Sequence, residues 1–326
     1  MTIALTGASG RIGNVLVRRL LEAGHQLRIL QRRDSPALAG LPLQRVQGDL
    51  LDPAALSDLA RGSEVLVHLA ALISIHGARH GRVWQVNVDG TKKVLEACLR
   101  QGVRRVVCFS SVHAFSDFPL DGAFDETRPL ALDSRMAYQR SKAEALALAM
   151  RFAAGRGLEV LALCPTSVIG PGDYGPSLSG QMLIDFYRRK IPLLVPGGFD
   201  WVDVRDVAQA AEAALTRGRN GEAYLLSGVY ARMPEFARLV ETVTGKAVPK
   251  YVAPNGLIRL GLPFVAVYAR LTGTRPLYTG EALDALQYGS NRISSEKARR
   301  ELGFSARPLE ETVADSYTWF RQNNYL

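Results

Sequence analysis

The chain has 326 residues, 47% hydrophobic and 22% charged, enough for one large core with an attached lobe. Its formal net charge is +9, but the 40 Lys and Arg are dispersed rather than blocked, which argues against nucleic-acid binding and leaves a mild attraction for anionic ligands or membrane surfaces. Cys98, Cys108 and Cys164 stand singly in apolar contexts, so neither a disulfide framework nor a thiolate metal site is expected, and a cytoplasmic location fits.

Strand character from residue 2 leaves no room for a cleavable signal, and no uncharged run reaches transmembrane length. The apolar run Ile3 to Leu5 meets Gly7, Gly10 and Gly13, spaced Gly-x-x-Gly-x-x-Gly, and an amphipathic run from Asn14 to Ala23 follows. That order predicts strand, tight turn and helix. In a parallel α/β unit such glycines let backbone N–H groups approach a pyrophosphate at a helix N-terminus, so a dinucleotide is expected here. Gln26 to Leu30 reads as a second strand ending in Gln31-Arg32-Arg33-Asp34. An acid at this strand end would accept the ribose hydroxyls of NAD, whereas arginine can hold a 2′-phosphate. Arg32 and Arg33 therefore favour NADP(H), with NAD(H) possible and a solvated arginine pair as the alternative.

Leu43 to Gln47 is a third strand leading into Gly48-Asp49-Leu50, and Asp52-Pro53 supplies an N-cap and a first-turn proline for a helix to Ala60. Glu64 to Leu69 is a strand, apolar after Glu64 apart from His68, which is read as a satisfied core residue, and it runs into the small pair Ala70-Ala71. His76 and His80 have the spacing of a metal pair, yet no third ligand is evident and no metal is expected. Arg82 to Arg100 reads as one long helix carrying Asn87, and Arg105 to Phe109 as a strand ending in Ser110-Ser111, where open α/β sheets bind ligands. From His113 to Ser134 the sequence is aperiodic and is expected to form a loop beside the site, with His113 a candidate substrate contact.

Met136 to Gly155 is helical in character, and its Tyr138-x-x-x-Lys142 puts a phenol and an ammonium on one face. A fixed cation beside a tyrosine of pKa ~10, helped by an oxidised nicotinamide, would favour the phenolate and bring it into range for proton exchange. Glu159 to Cys164 completes the parallel core. Beyond it, Gln181 to Lys190 is a helix of a smaller lobe, while Asp200 to Val204 and Ala223 to Ser227 read as returns to the sheet around a helix from Asp206 to Thr216. Tyr174, Met182 and Phe186 are expected over the substrate. Helices are expected at Met233 to Thr244 and Pro308 to Asn323. Asn255 to Gly273 is apolar on nearly all sides, either a lobe helix packed over the substrate or a weak membrane-surface contact.

The set Thr6-Gly7-x-x-Gly10-x-x-Gly13, Gly48-Asp49-Leu50, Ala70-Ala71, Asn87, Ser110-Ser111 and Tyr138-x-x-x-Lys142 resembles the extended short-chain dehydrogenase/reductase superfamily. Cys164 to Asp173, Trp201 to Val207 and Ser295 to Phe304 extend the likeness over essentially the whole chain, nearest the dihydroflavonol reductase and 3β-hydroxysteroid dehydrogenase branch. The resemblance implies an α/β fold, a Rossmann-type doubly wound parallel sheet over residues 1–168 and 200–228, with a smaller, discontinuous C-terminal substrate lobe over 169–199 and 229–326. It implies Ser111, Tyr138 and Lys142 as the catalytic triad, supported by Asn87. A nicotinamide cofactor would then be held by Gly7, Ser9, Gly10, Arg11, Ile12, Gly13, Arg32, Arg33, Asp49, Leu50, Leu69, Ala70, Ala71, Asn87, Ser110, Tyr138, Lys142, Pro165, Thr166, Ser167 and Val168.

The activity expected is hydride transfer between NADP(H) and a secondary alcohol or ketone on a bulky, largely apolar small molecule, in a possible homodimer. Two rivals share the fold: a nucleotide-sugar epimerase or dehydratase with retained NAD, for which Arg188, Arg189 or Arg205 would meet a pyrophosphate, and an NADP(H)-sensing protein without turnover. Sensors of that kind generally lose the tyrosine or the lysine, and this chain keeps both.

Overall fold

The computed structural model describes every residue except 75–76, 121, 156, 255, 261, 263–279, 288 and 290–291. Ten strands form among the described residues: β1 (Thr2–Thr6), β2 (Gln26–Gln31), β3 (Gln44–Gln47), β4 (Val65–His68), β5 (Arg105–Phe109), β6 (Glu159–Pro165), β7 (Ser167–Ile169), β8 (Gly198–Asp203), β9 (Ala223–Leu226) and β10 (Val229–Arg232). Seven make one sheet in the order β3-β2-β1-β4-β5-β6-β9, with every pairing parallel. This is the doubly wound Rossmann arrangement, and its direction of winding reverses between β1 and β4.

Parallel strands need crossovers, and these are α1 (Arg11–Glu22), α2 (Pro53–Ala60), α3 (Arg82–Trp84) running on into α4 (Gly90–Arg100), α5 (Ala137–Ala153) and, later, α7 (Val204–Ala213). Successive strand side chains enter opposite cores. Ile3, Leu5, Val65, Val67 and Val107 face the side covered by α1 and α7, whereas Ala4, Leu66, Val106 and Cys108 face the side covered by α2, α4 and α5. The α2 cap forms as its sequence dictates: Asp52 Oδ1 accepts the N–H of Ala54 at 2.9 Å and of Ala55 at 3.3 Å, with Pro53 in the first turn.

Two expectations are corrected. The strand expected from Asp200 does not rejoin the large sheet: β8 pairs parallel with β7 and antiparallel with β10 in a second, three-stranded sheet. The crossing is held by the buried Asp200 carboxylate, which accepts from Thr166 Oγ1 at 2.6 Å, the Gly228 N–H at 2.7 Å and Ser227 Oγ at 3.2 Å. Gly228 makes the close approach possible, since a Cβ there would lie 1.9 Å from the Trp201 carbonyl oxygen. One edge of the large sheet is β9, where Glu126 Oε1 accepts the Leu225 N–H at 2.8 Å, and just past its end Ser295 Oγ accepts the Ser227 N–H at 2.6 Å. The long helix from Arg82 is also not uniform, because Gln85–Asp89 form a π turn between α3 and α4.

The second sheet packs with α6 (Leu178–Tyr187), α8 (Met233–Thr244) and the helix Leu309–Gln322 around a third core, in which Trp201 stacks on Phe236 with centroids 4.6 Å apart. The apolar stretch 255–273 lies largely outside the described residues, as does His76; Leu257 and Leu260 are described and are 57% and 74% exposed. No described helix is long and apolar enough to cross a membrane.

Candidate active site

The carboxyl ends of β1, β4, β5 and β6 lie along one edge of the sheet, which brings together Gly7, Ala70, Ser110 and Thr166 from across the sequence. Gly7 adopts φ +72°, and a Cβ on it would lie 2.6 Å from the Ala70 nitrogen; one on Gly13 would lie 2.2 Å from the Gly7 carbonyl oxygen. The turn therefore closes only with glycine, pressed against Leu69 and Ala70 on one side and α1 on the other. Helix α1 starts at Gly10 with no side-chain cap and no acid in its first turn, so the N–H groups of Arg11, Ile12 and Gly13 meet the positive end of the helix dipole beside exposed Ser9 and Gly10. That geometry suits an anion.

At the end of β2, Arg32 and Arg33 are exposed, and Arg32 Nη1 sits 3.5 Å from Asp49 Oδ2. The Gln31 side chain donates to Asp34 Oδ1 at 2.6 Å, so the acid of this turn is engaged. Leu50 is buried against Gly90 rather than facing the turn, where a Cβ on Gly90 would lie 2.6 Å from its Cδ2. Ala71 is exposed and Ala70 half-buried, a shallow apolar floor.

Ser111, Tyr138 and Lys142 converge beyond β5. Ser111 caps a short 3-10 turn, its Oγ accepting the His113 N–H at 3.2 Å, and it also hydrogen-bonds the Tyr138 hydroxyl. Tyr138 lies in the first turn of α5, where the helix dipole favours negative charge. Lys142 is buried one turn deeper, and its Nζ donates to the Phe109 carbonyl at 3.0 Å. Burial lowers the ammonium to about 8 and pushes the Tyr138 phenol up to about 12, the Ser111 hydrogen bond opposing that rise. The tyrosine is thus a protonated phenol in the ligand-free protein.

Behind these groups runs a buried chain of hydrogen bonds with one consistent direction. The Ala70 N–H donates to Thr6 Oγ1 at 3.3 Å, Thr6 meets His68 Nδ1 at 2.7 Å, His68 Nε2 meets Thr91 Oγ1 at 3.0 Å, and Thr91 donates to the Asn87 carbonyl at 2.7 Å. Because the Thr91 proton is committed to the Asn87 carbonyl, His68 donates from Nε2, and as a neutral ring it accepts from Thr6 at Nδ1. Burial first, then the nearby Lys142, lowers its pKa to about 3. Asn87, on the π turn, uses its side chain elsewhere: Oδ1 accepts the Leu72 N–H at 2.7 Å, and Nδ2 donates to the Leu72 carbonyl at 3.1 Å and to Ser141 Oγ at 2.9 Å.

Of the residues expected over the substrate, only His113 lies beside the reacting groups, edge-on to Tyr138 with centroids 6.2 Å apart. Burial lowers its pKa, with Asp117 opposing. Phe186 is corrected to the lobe core, 1% exposed and against Phe236; Met182 packs on the same cluster. Tyr174 lies edge-on to Trp319 with its ring under Arg18, a packing role that its place in an aperiodic loop hides. Thr166 is likewise bonded to Asp200, and Pro165 is buried, whereas Ser167 and Val168 are half-buried in β7. Arg11 contributes backbone to the start of α1 but sends its side chain away, to Asp173 at 2.7 Å and to the Val168 carbonyl. Sequence spacing could not signal that pairing, which joins residues 162 positions apart.

The model of the NAD-dependent epimerase/dehydratase family matches residues 3–227. Sterol demethylase protein B of Methylococcus capsulatus is 33% identical over the whole of both chains. A putative dihydroflavonol 4-reductase of Synechocystis is 31% identical over 99% of this chain and 95% of its own. Among solved structures, MoeE5 in complex with UDP-glucose and NAD is 25% identical, with a TM-score of 0.79, covering 99% of this chain and all of that one. With a glycine turn, a Ser–Tyr–Lys cluster and this sheet order in place, the chain belongs to the NAD-dependent epimerase/dehydratase family, in the extended short-chain dehydrogenase/reductase branch, and is an NAD(P)-dependent enzyme acting on CH–OH groups.

Proposed function

We propose that the enzyme transfers hydride between NADP(H) and a secondary alcohol or ketone carried on a bulky, largely apolar molecule of sterol, terpenoid or flavonoid-like size. The residues fit the dinucleotide: the uncapped start of α1 suits a pyrophosphate, and Arg32 with Arg33 suits a 2′-phosphate. The nicotinamide supplies the hydride donor or acceptor when bound. Ser111 orients the substrate oxygen, Tyr138 Oη gives or takes its proton, and Lys142 holds the ribose while Asn87 fixes the helix that carries Tyr138.

The observation that carries the apolar substrate over a nucleotide sugar is the engagement, among the described residues, of Arg205 and Arg188, two of the cations that could meet a pyrophosphate. Arg205 is bonded to Asp203 at 2.8 Å and Asp315 at 2.6 Å, and Arg188 donates to the Tyr325 carbonyl at 2.9 Å. Arg189 sits at the exposed end of α6. A sugar-nucleotide pyrophosphate would need convergent cations. Meanwhile Ile73 and Phe118, on the loops that follow β4 and β5, are 61% and 59% exposed.

The test combines cofactor titration and thermal protection. NADP(H) should bind wild type more tightly than NAD(H), and Arg32→Ala should weaken NADP(H) selectively. In the presence of NADP, steroid-like ketones should raise the unfolding temperature and UDP-sugars should not. Protection by UDP-sugars alone would refute the substrate class and favour the epimerase reading, which the MoeE5 likeness keeps in view.

A further inference from the structure

The Arg11–Asp173 pair is nearly withdrawn from water, with side chains 9% and 4% exposed. Asp173 also accepts the Ser177 N–H at 2.9 Å and the Ser177 hydroxyl at 2.9 Å, while Arg11 reaches the Val168 carbonyl with its other terminal nitrogen. One helical turn on, Asn14 Nδ2 donates to the Gly172 carbonyl at 2.9 Å and to the Gly10 carbonyl at 2.8 Å. The first turn of α1 is therefore gripped from outside by the segment that leads from β7 into the lobe helix α6. Two glycines make room for the grip. Gly172 adopts φ +89°, and a Cβ on Gly180 would lie 1.9 Å from Asp173 Oδ2.

The other side of this segment is held by the end of the chain. Tyr325 Oη donates to the Tyr174 carbonyl, and its ring stacks on Trp319 with centroids 5.6 Å apart. Trp319 in turn meets Tyr174 at 5.0 Å. A continuous set of contacts thus runs from the C-terminus through the 172–177 turn to the N–H groups of Arg11, Ile12 and Gly13. Burying an ion pair is a weak source of stability, because desolvation offsets the Coulombic gain; its physical value lies in fixing one geometry.

We propose that Arg11 and Asp173 are positioning residues that couple the cofactor turn to the substrate lobe, so that dinucleotide and substrate each tighten the grip on the other. The proposal rests on the reading that a dinucleotide pyrophosphate occupies the α1 N-terminus. Neither side chain touches the reacting atoms. Their effect passes through the backbone of residues 10–13 on one side and residues 168–177 on the other.

The experiment measures the Kd of NADPH for the whole protein by fluorescence titration, together with the unfolding temperature without ligand, in wild type, Arg11→Met, Asp173→Asn, the double variant and Tyr325→Ala. NADPH binding to wild type tests the underlying reading by itself. If it binds, Arg11→Met should raise Kd by roughly tenfold, in the range of ordinary coupling between sites, and lower the unfolding temperature by leaving Asp173 unpaired. The double variant keeps an acceptor for Ser177 and removes the lone charge, so it should recover the unfolding temperature without recovering Kd. Tyr325→Ala, which touches the 174 backbone and not α1, should raise Kd in the same direction. Recovery of Kd along with unfolding temperature in the double variant, or an unchanged Kd in both Arg11→Met and Tyr325→Ala, would overturn the proposal and leave the pair as a purely structural contact. Should Arg11→Met not fold, the double variant and Tyr325→Ala decide alone by the same two outcomes.

Discussion

Asn87 holds Tyr138 in place without touching its ring: Asn87 Nδ2 donates to Ser141 Oγ at 2.9 Å, and Ser141 Oγ donates to the Tyr138 carbonyl at 2.8 Å. The same amide clasps both backbone groups of Leu72, on the segment that follows β4. Removing it with Asn87→Ala strands the half-buried N–H and carbonyl of Leu72 and takes a donor from the buried Ser141 hydroxyl. A stability loss of about 2–3 kcal/mol is expected, read by urea unfolding, together with a fall in kcat. Asn87→Asp should be no better, since a carboxylate cannot donate to Ser141 or to the Leu72 carbonyl.

Tyr138→Phe removes only the exchangeable proton. Turnover should fall by about 10²–10⁴-fold while cofactor affinity stays near wild type. In a spectrophotometric titration of the ligand-free protein, the wild type minus Tyr138→Phe difference should show a phenol ionising near 12. A phenol titrating near its ordinary value would mean that the site is wetter than described.

His68 makes stability depend on acid. Its folded pKa, about 3, lies below the unfolded value of 6.5, so between these limits the unfolded chain binds the extra proton and stability falls as the pH falls. By pH 5 the loss from this group should reach about 2 kcal/mol. His68→Gln, which does not titrate, should flatten the decline between pH 7 and 5 when unfolding midpoints are compared. A slope unchanged from wild type would place the responsible group elsewhere.

Gly13→Ala should abolish the cofactor site more than the fold. The added Cβ, 2.2 Å from the Gly7 carbonyl oxygen and 2.8 Å from the Ala8 Cα, meets backbone that can yield only by opening the turn. Cofactor Kd should rise by about tenfold or more in isothermal titration.

The parts of this molecule written into short stretches of sequence were readable there. The glycine spacing, the strand ends at Ser110-Ser111 and the i, i+4 relation of Tyr138 and Lys142 each depend on a few neighbouring residues, and α2 begins at the Asp52-Pro53 signal. What escaped depends on partners distant in the chain. The run at Asp200 is as strand-like as any other, and its transfer to the second sheet follows from Thr166, Ser227 and Gly228 closing around one carboxylate. Phe186 and Met182 have the composition of a substrate wall, but α8 and the helix from Leu309 cover them. The apolar periodicity of Arg82 to Arg100 gives no sign of the π turn, which adds one residue to the turn that presents Asn87.

The fixed direction of the bonds through Thr6, His68 and Thr91 makes that part of the interior an insulator toward protons. It starts at the Ala70 amide and finishes at the Asn87 carbonyl, two backbone groups that neither take up nor release a proton in the working pH range. Passing a proton along it would require His68 to accept a charge its surroundings oppose. Tyr138 and Lys142 are therefore closed off from this chain behind them, and on the proposed mechanism the exchanged proton would be traded on the cleft side, where Ser111 and His113 lie.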